Sequence, residues 1–150
     1  MMNLIDLALL IGVIACAGWG AKRGFVRMTM ITLDLSEVMR PEVAHWSRAQ
    51  VRAEFARLPA DLQALVRARY AGQTFRLEAA AGKVEIALPE EEALRCALMY
   101  TPALDFAARV FALLTAKRGP GLFDLEMSID ETTTPTLPAH HLFLIRELIR

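Results

Sequence analysis

The first thirty residues are far more apolar than the rest of the chain. Between Leu4 and Gly20 the one charged residue is Asp6, and Lys22, Arg23 and Arg27 follow the apolar run. As a helix this run would measure about 25 Å, close to the minimum needed to cross a bilayer. The pattern fits a membrane anchor, a buried helix or a signal peptide. Basic residues after the run argue against a signal peptide and, for an anchor, favour a cytoplasmic remainder.

A short alternating pattern follows this apolar run. Ile31, Leu33 and Leu35 alternate with polar residues, which predicts a strand. Ser36 comes directly after it and is a candidate N-cap for a helix. The sequence therefore predicts a strand that leads at once into a helix.

Two amphipathic helices are predicted between residues 47 and 72. Their apolar positions are Val51, Phe55 and Leu58 in the first helix, and Leu62, Leu65, Val66 and Tyr70 in the second. Ser47 stands at the start of the first helix. Pro59 either ends the first helix or begins the second, and Gly72 is suited to end the second. Both helices need a partner surface for their apolar sides.

The stretch from residue 73 to residue 88 predicts a β-hairpin. Its apolar positions alternate on both sides of a turn rich in Ala and Gly: Phe75 and Leu77 before it, and Val84, Ile86 and Leu88 after it. Two strands alone are marginally stable in water. Another element must therefore cover the apolar side of this hairpin.

A long helix is predicted from Pro89 onward. Proline suits a first helical turn, and the acidic residues Glu90 to Glu92 suit the positive end of the helix dipole. The apolar stripe comprises Leu94, Leu98, Phe106, Val110, Leu113 and Leu114. The helix is expected to stop near Lys117. At Pro102 we expect a kink, or a break in which Thr101 caps a second helix.

A second alternating stretch, residues 122–131, predicts a strand, and a final helix begins near Pro138. The apolar side of that helix is predicted to comprise Leu142, Ile145, Leu148 and Ile149. The order helix, strand, loop, helix is half of a βαβ arrangement. Asp130 and Glu131 stand where the strand gives way to the loop.

The position of this acidic pair suggests chemistry. In barrels of parallel strands, catalytic groups lie at the C-terminal ends of the strands and in the loops that follow. A carboxylate there can act as an acid, a base or a metal ligand. The spacing of Asp130 and Glu131 is also typical of a loop in which the first caps a turn and the second is solvated. Asp124, Glu126 and His45 are expected to face water.

Charge and cysteine content narrow the function classes. Seventeen basic and seventeen acidic side chains cancel in 150 residues, without a long run of one sign, which argues against a nucleic-acid surface. The length suits one hydrophobic core. Cys16 and Cys96 have no nearby His or Cys at metal-ligand spacing. We predict buried thiols in a reducing compartment rather than a disulfide.

The opening of the chain resembles the first membrane helix of the colicin V production protein family. The matching residues are Asp6, Gly20, Arg23, Gly24, Phe25, Val26 and Arg27. The resemblance covers about thirty residues and ends after Arg27. Members of that family go on to further apolar spans, for which the later sequence has no counterpart.

Residues 31–150 resemble an internal portion of the tagaturonate/fructuronate epimerase family. The matching pattern is Glu-x-Ser-x-Asp-Glu-Thr, followed by Pro-Thr, His-x-Phe and Glu-Leu. It comprises Glu126, Ser128, Asp130, Glu131, Thr132, Pro135, Thr136, His141, Phe143, Glu147 and Leu148. About 120 residues are covered, more than a short motif could match by accident.

The epimerase resemblance implies a TIM-barrel isomerase of hexuronate metabolism. It implies interconversion of D-tagaturonate and D-fructuronate at C4 with a divalent metal. Glu131 matches the acid/base position, and Asp130 would orient it or a ligand. His141 matches a histidine that we assign to substrate binding, although His140 and His141 could also be polar residues of a first helical turn. The family's metal-binding histidines lie outside this portion, so we assign no metal ligand here and expect this fragment not to bind the family's metal.

Two interpretations follow. In the first, the fold class is α/β: a hydrophobic helix in residues 1–27, then a partial TIM barrel in residues 28–150, with few strands, several amphipathic helices and one β-hairpin. This epimerase fragment would bind a sugar acid, be inactive alone and self-associate through exposed apolar stripes, because a barrel needs roughly 200 residues. In the second, the chain is a small non-enzymatic protein with membrane contact through residues 4–20. Both place it in the cytoplasm, anchored to the inner membrane if that helix inserts.

Overall fold

The computed structural model describes residues 29–79, 82–129 and 135–149. The predicted N-terminal helix in residues 4–20 lies outside the described residues, as do Cys16, Asp130 and Glu131. The account below therefore concerns the later part of the chain.

The described residues form a mixed α/β structure, which confirms the predicted class. In chain order the elements are β1 (Thr29–Asp34), a 3-10 helix (Pro41–His45), α1 (Arg48–Phe55), α2 (Ala60–Arg69), β2 (Gln73–Ala79), β3 (Gly82–Leu88), α3 (Glu90–Arg118), β4 (Phe123–Ser128) and α4 (Pro138–Leu148).

β1 and β4 pair in parallel, as a βαβ arrangement requires. The register runs from Thr29 opposite Phe123 to Asp34 opposite Ser128. Beyond the last pair, the Leu35 amide donates to the Ser128 carbonyl oxygen at 2.9 Å. Because parallel strands end at the same edge of a sheet, the segments that follow β1 and β4 begin next to each other at that edge.

The helix predicted to begin at Ser36 is absent from the described structure. The Asp34 carboxylate accepts hydrogen bonds from the Ser36 amide at 2.9 Å and from the Ser36 hydroxyl at 2.7 Å, which makes a turn after β1. The next element is the 3-10 helix that begins at Pro41. The Ser36 prediction was wrong, because the residues after β1 form this turn instead and the stretch from Ser36 to Arg40 contains no helix.

The predicted helix pair and hairpin are confirmed. Ser47 and Gln50 form a reciprocal capping box at the start of α1, and Pro59 is the N-cap of α2. The hairpin is antiparallel, with Phe75 opposite Ile86. Other elements cover only part of the apolar side of the hairpin. Leu88, at the end of the hairpin away from the turn, is fully buried. Toward the turn, the opposed pair Leu77 and Val84 is 41% and 44% exposed.

The long helix α3 continues through Pro102, so the predicted break capped by Thr101 was wrong. Proline removes the hydrogen bond to the carbonyl four residues earlier, at a cost of about 3 kcal/mol. The surrounding turns are buried in the core, with Leu98 and Ala103 both almost inaccessible. Burial of this segment offsets the lost hydrogen bond.

The first half of α3 forms the centre of the core. The buried residues of the whole helix are Ala93, Leu94, Cys96, Ala97, Leu98, Met99, Tyr100, Ala103 and Ala107, and all but Ala107 lie in this half. The predicted stripe is confirmed at Leu94 and Leu98, whereas Leu113 is 58% exposed and Phe111 is exposed beside it. The second half of α3 therefore leaves apolar surface uncovered.

Among the described residues, α3 is also the one helix long and apolar enough to cross a membrane by length and composition alone. A helix from the core of a soluble protein meets the same criteria, and 33% of the most apolar window is buried here. One such helix is a weak indication of a membrane span.

The apolar side predicted for α4 was wrong. Leu142 is buried, but Ile145, Leu148 and Ile149 are exposed. The residues that pack are Ala139, His140, Leu142, Phe143 and Leu144. The Phe143 ring contacts the Tyr70 ring, with centroids 4.8 Å apart. This face of α4 is buried because it packs against α3 and the end of α2, whereas the predicted face does not.

Arg95 on α3 fixes the 3-10 helix. Its guanidinium donates to the carbonyl oxygens of Val43 at 2.7 Å and Trp46 at 2.8 Å, and it pairs with Glu91 at 2.7 Å. Only 14% of the Arg95 side chain is exposed. The guanidinium therefore adds a charged donor to the Val43 carbonyl oxygen, which also accepts from the Trp46 amide, and to the Trp46 carbonyl oxygen beyond the end of the 3-10 helix.

Replacement of this arginine should be costly. We expect Arg95→Met to lower the free energy of unfolding by about 3 kcal/mol, because it removes the charged donor that two carbonyl oxygens and the Glu91 carboxylate share. Arg76→Met is the matched control, since Arg76 pairs with Glu85 at 2.7 Å on the exposed hairpin. We expect that control to cost less than about 1 kcal/mol. Equal losses in urea denaturation of the two variants would contradict this role.

Tyr70 links the end of α2 to the end of α4. Its hydroxyl donates to Glu147 Oε1 at 2.5 Å, and Arg69 Nη1 lies 3.1 Å from the same oxygen. Burial, and then the hydrogen bond to Glu147, raise the pKa of Tyr70 to about 12 from an ordinary value of 10.0. The protonated phenol is therefore favoured in the folded state.

This shift predicts a pH dependence at high pH. A raised folded pKa gives stabilisation that is complete below the unfolded pKa of about 10 and lost as pH rises toward about 12. We expect Tyr70→Phe to lower the free energy of unfolding by about 1–2 kcal/mol at neutral pH. The difference between wild type and variant should shrink across that window. Chemical denaturation at a series of pH values measures it, and a difference independent of pH would contradict the prediction.

Candidate functional site

The loop between β4 and α4 carries the predicted catalytic pair, Asp130 and Glu131, outside the described residues. The structure describes both ends of this loop. At its start, the Leu35 amide donates a hydrogen bond to the Ser128 carbonyl oxygen. At its end, Leu137 is the N-cap of α4. The side chains of Asp124 and Glu126 on β4 are exposed, as is His45, which confirms that these three face water.

The two consecutive histidines at the start of α4 differ in environment. His141, the predicted substrate-binding residue, is exposed. His140 is 7% exposed and is the one buried polar or charged residue among the described residues. The substrate-binding role of His141 stays a prediction, whereas His140 belongs to a polar cluster that was not predicted.

That cluster joins α4 to α3. Nε2 of His140 lies 2.6 Å from Glu92 Oε1, and Nδ1 of His140 lies 3.0 Å from the Tyr100 hydroxyl oxygen. Both imidazole nitrogens therefore have a partner on α3. A buried imidazole would otherwise carry unsatisfied polar atoms at a cost of about 1–3 kcal/mol each.

Cys96 completes the cluster. Its sulfur, a Glu92 carboxylate oxygen and a His140 ring nitrogen all lie within 4.8 Å of one another. Glu92, Cys96 and Tyr100 are spaced four residues apart on α3, so they share one helix face. Cys96 is buried and forms no disulfide, as predicted for a buried thiol.

Burial and hydrogen bonding set the charges of these groups. The hydrogen bond from His140 lowers the pKa of Glu92, against the opposing effect of burial. Burial raises the pKa of the Cys96 thiol, and the negative charge of Glu92 raises it further. Burial likewise raises the pKa of Tyr100. Near neutral pH the cluster therefore holds a carboxylate, a thiol and a phenol.

Part of this cluster is visible in the sequence. Glu92 suits the positive end of the helix dipole, and Cys96 has no His or Cys nearby at metal-ligand spacing. The spacing of Glu92, Cys96 and Tyr100 does place three polar side chains on one helix face. The partner is 48 positions from Glu92, on another helix, and the spacing does not indicate it.

Comparisons with known proteins address the identity of the chain. The profile of the UxaE tagaturonate epimerase family matches residues 22–150. The match begins within the opening stretch that resembles the colicin V production proteins, and the comparisons give no support to the membrane-anchored alternative. No curated protein matches the chain.

Crystal structures of the fructuronate-tagaturonate epimerase UxaE from Cohnella laeviribosi resemble this chain. The form with one glycerol is 28% identical with a TM-score of 0.72, and the native form is 26% identical with a TM-score of 0.72. The form with two glycerols is 27% identical with a TM-score of 0.71. Each match covers 99% of this chain and 27% of the solved chain.

The comparisons confirm the predicted resemblance. The chain spans about a quarter of the length of the solved structures that it matches. The family profile covers 129 of 150 residues, counted from 22 to 150. The chain therefore belongs to the UxaE tagaturonate epimerase family.

Proposed function

We propose that the chain contributes to the interconversion of D-tagaturonate and D-fructuronate, as part of a larger catalytic unit. The family match carries this proposal, because it spans the β4–α4 region with the acidic pair. The parallel pairing of β1 and β4 supports it, since parallel α/β enzymes bind substrates at the carboxyl ends of their strands. The solved relative is a fructuronate-tagaturonate epimerase.

The two sugar acids differ at C4, the carbon β to the C2 ketone. The ketone acidifies hydrogen on C3, not on C4, so simple enolisation does not invert C4. Cleavage and re-formation of the C3–C4 bond does. A base removes the proton of the C4 hydroxyl, the electron pair of the C3–C4 bond becomes an enolate with C2, and C4 becomes an aldehyde. Addition to the other face of that aldehyde returns the proton and gives the epimer.

We assign Glu131 to the proton transfer at the C4 hydroxyl in this sequence. A carboxylate can take this proton and return it to the alkoxide that forms on re-addition. Asp130 would orient Glu131 or the substrate. The exposed imidazole of His141, at the start of the helix after this loop, would bind the sugar acid. These three roles rest on the match to the family pattern.

The family resemblance also implies a divalent metal, which would polarise the C2 ketone and stabilise the enolate. Among the described residues, Glu92, Cys96 and His140 are the candidate ligand cluster. A metal that contacts substrate needs an open coordination position. Cys96 is fully buried and His140 nearly so. This cluster does not fit the substrate-binding metal, and we route no step of the epimerisation through it.

The remaining wall of the site would come from further polypeptide. We propose that β1 and β4 are neighbouring strands of a TIM barrel, in which further parallel strands extend the pair. Exposed Leu113, Phe111 and Met30 support this proposal, since uncovered apolar surface favours association. We expect the isolated chain to self-associate. A cytoplasmic location agrees with the free thiol of Cys96.

A chimera tests the proposed function. Residues 22–150 would replace the matching segment of the Cohnella laeviribosi enzyme, and conversion of D-tagaturonate would be followed by NMR. We expect the chimera to be active and the chain alone to be inactive. In the chimera, Glu131→Gln should lower kcat by about 100-fold or more, because proton transfer is lost.

Glu78→Gln is the matched control, since Glu78 is an exposed glutamate on the hairpin. It should leave kcat within about twofold. Retention of full activity by Glu131→Gln in a folded chimera would refute the assignment. A folded chimera that binds the substrate but does not convert it would refute the proposed function of this segment.

A further inference from the structure

We propose that Glu92, Cys96 and His140 form a binding site for a divalent cation of the zinc class. The site would join α3 to α4 and would not contact the sugar substrate. The inference does not rest on the proposed epimerisation, because it follows from the positions of these side chains alone. Three different ligand types converge on one point, with their donor atoms within 4.8 Å of one another.

The donor set selects the class of cation. It offers one carboxylate oxygen, one sulfur and one imidazole nitrogen. Magnesium and calcium prefer oxygen ligands, whereas zinc and similar transition metals accept thiolate and imidazole. The donor types therefore fit an ion of borderline softness, for which they supply three of the usual four ligands.

The spacing fits with a small adjustment. Tetrahedral ligands at zinc distances of about 2.0–2.3 Å lie roughly 3.3–3.8 Å from one another. The contact of 2.6 Å between Glu92 and His140 must open by about 1 Å, and the sulfur must approach. The Glu92 side chain is 26% exposed, and its rotatable bonds permit this movement. The two ligands on α3 are one helical turn apart and already share a face.

Tyr100 supplies the outer partner that a histidine ligand needs. Its hydroxyl oxygen lies 3.0 Å from His140 Nδ1, on the opposite side of the ring from Glu92. A metal-bound histidine donates its other N–H to such a partner, which fixes the tautomer and ring orientation. With Nδ1–H donated to Tyr100, Nε2 presents its lone pair to the cation.

The proton balance is simple. In the metal-free cluster the His140 ring shares its proton with Glu92 through Nε2, and the Cys96 thiol holds another. When a cation binds, the ring proton moves to Nδ1 beside Tyr100 and the thiol proton passes to solvent, while sulfur, nitrogen and oxygen each bind the metal. The buried thiol resists deprotonation by itself, but a coordinating metal ion deprotonates a thiol outright.

The thiol distinguishes this site from a merely satisfied histidine. Glu92 and Tyr100 already give both nitrogens of His140 a partner. Cys96 adds a soft ligand at the same point, on the same helix face as Glu92. Because Cys96 and His140 are buried, the bound ion would be closed off, as in structural zinc sites.

Cobalt(II) is a spectroscopic probe for the site. The purified full chain would be treated with a chelator and titrated with cobalt chloride. We expect a near-ultraviolet charge-transfer band from sulfur to cobalt and visible bands of a tetrahedral ion, saturating at about one equivalent and lost on addition of zinc. Zinc should also raise the melting temperature of the wild-type chain.

Variants of the three ligands and of Tyr100 assign the signal. Cys96→Ser should lose the charge-transfer band, and Glu92→Gln, which keeps a hydrogen-bond acceptor for His140, should bind cobalt more weakly. Tyr100→Phe should weaken binding by about tenfold or more through its outer contact. Cys16→Ser and His45→Asn are the matched controls and should retain the wild-type spectrum.

The cobalt titrations test the proposed metal site directly and need no sugar substrate. Absence of the charge-transfer band in wild type would overturn it, as would an unchanged band in Cys96→Ser. Loss of the band in Cys16→Ser would assign the thiolate to another part of the chain and would equally overturn it. Cys96→Ala keeps the core packing, and a zinc-induced rise in melting temperature equal to that of wild type would overturn it too.

Discussion

Burial of the first half of α3 is the constraint on which the rest of the described structure depends. The whole helix contacts α1, α2, the 3-10 helix, α4, β3 and β4. Small residues of its first half, such as Ala93, Ala97 and Ala103, let neighbouring elements approach closely. The same burial offsets the loss of a hydrogen bond at Pro102 and keeps the helix continuous. A polar side chain on this surface must therefore find its partner within the protein.

The polar contacts across the core follow from that constraint. Arg95 donates hydrogen bonds to the carbonyl oxygens of Val43 and Trp46. Glu92 and Tyr100 form hydrogen bonds with the two ring nitrogens of His140. The Tyr70 hydroxyl donates a hydrogen bond to Glu147 near the C-terminal end of α4. α4 is therefore held at both ends by polar contacts with α2 and α3, and between them by the packing of Phe143 on Tyr70. Removal of one partner would leave the other buried without compensation.

A local sequence pattern predicted a helix start correctly where the two residues of the pattern hydrogen-bond each other. Ser47 caps α1 because Gln50, three residues later, returns the hydrogen bond. Ser36 has the same hydroxyl but follows Asp34, which takes both of its donors. The face of α4 could not be read from periodicity, since Leu142 belongs to two apolar faces and its neighbours decide between them. The cluster around His140 joins residues 48 and 40 positions apart, so the local pattern could not identify it.

The β4–α4 loop is where structural and chemical roles meet. Parallel pairing and the amide of Leu35 fix its start at Ser128, and the hydrogen bonds of His140 fix the helix at its end. A carboxylate proposed to take the proton of the C4 hydroxyl and return it to the alkoxide needs such support, because a displacement of about 1 Å can cost roughly a hundredfold in rate. The buried groups hold the described residues on both sides of this loop, while Asp130 and Glu131 are the groups proposed to act on a substrate. This division explains how one short segment can carry both a closed polar cluster and a proposed catalytic pair.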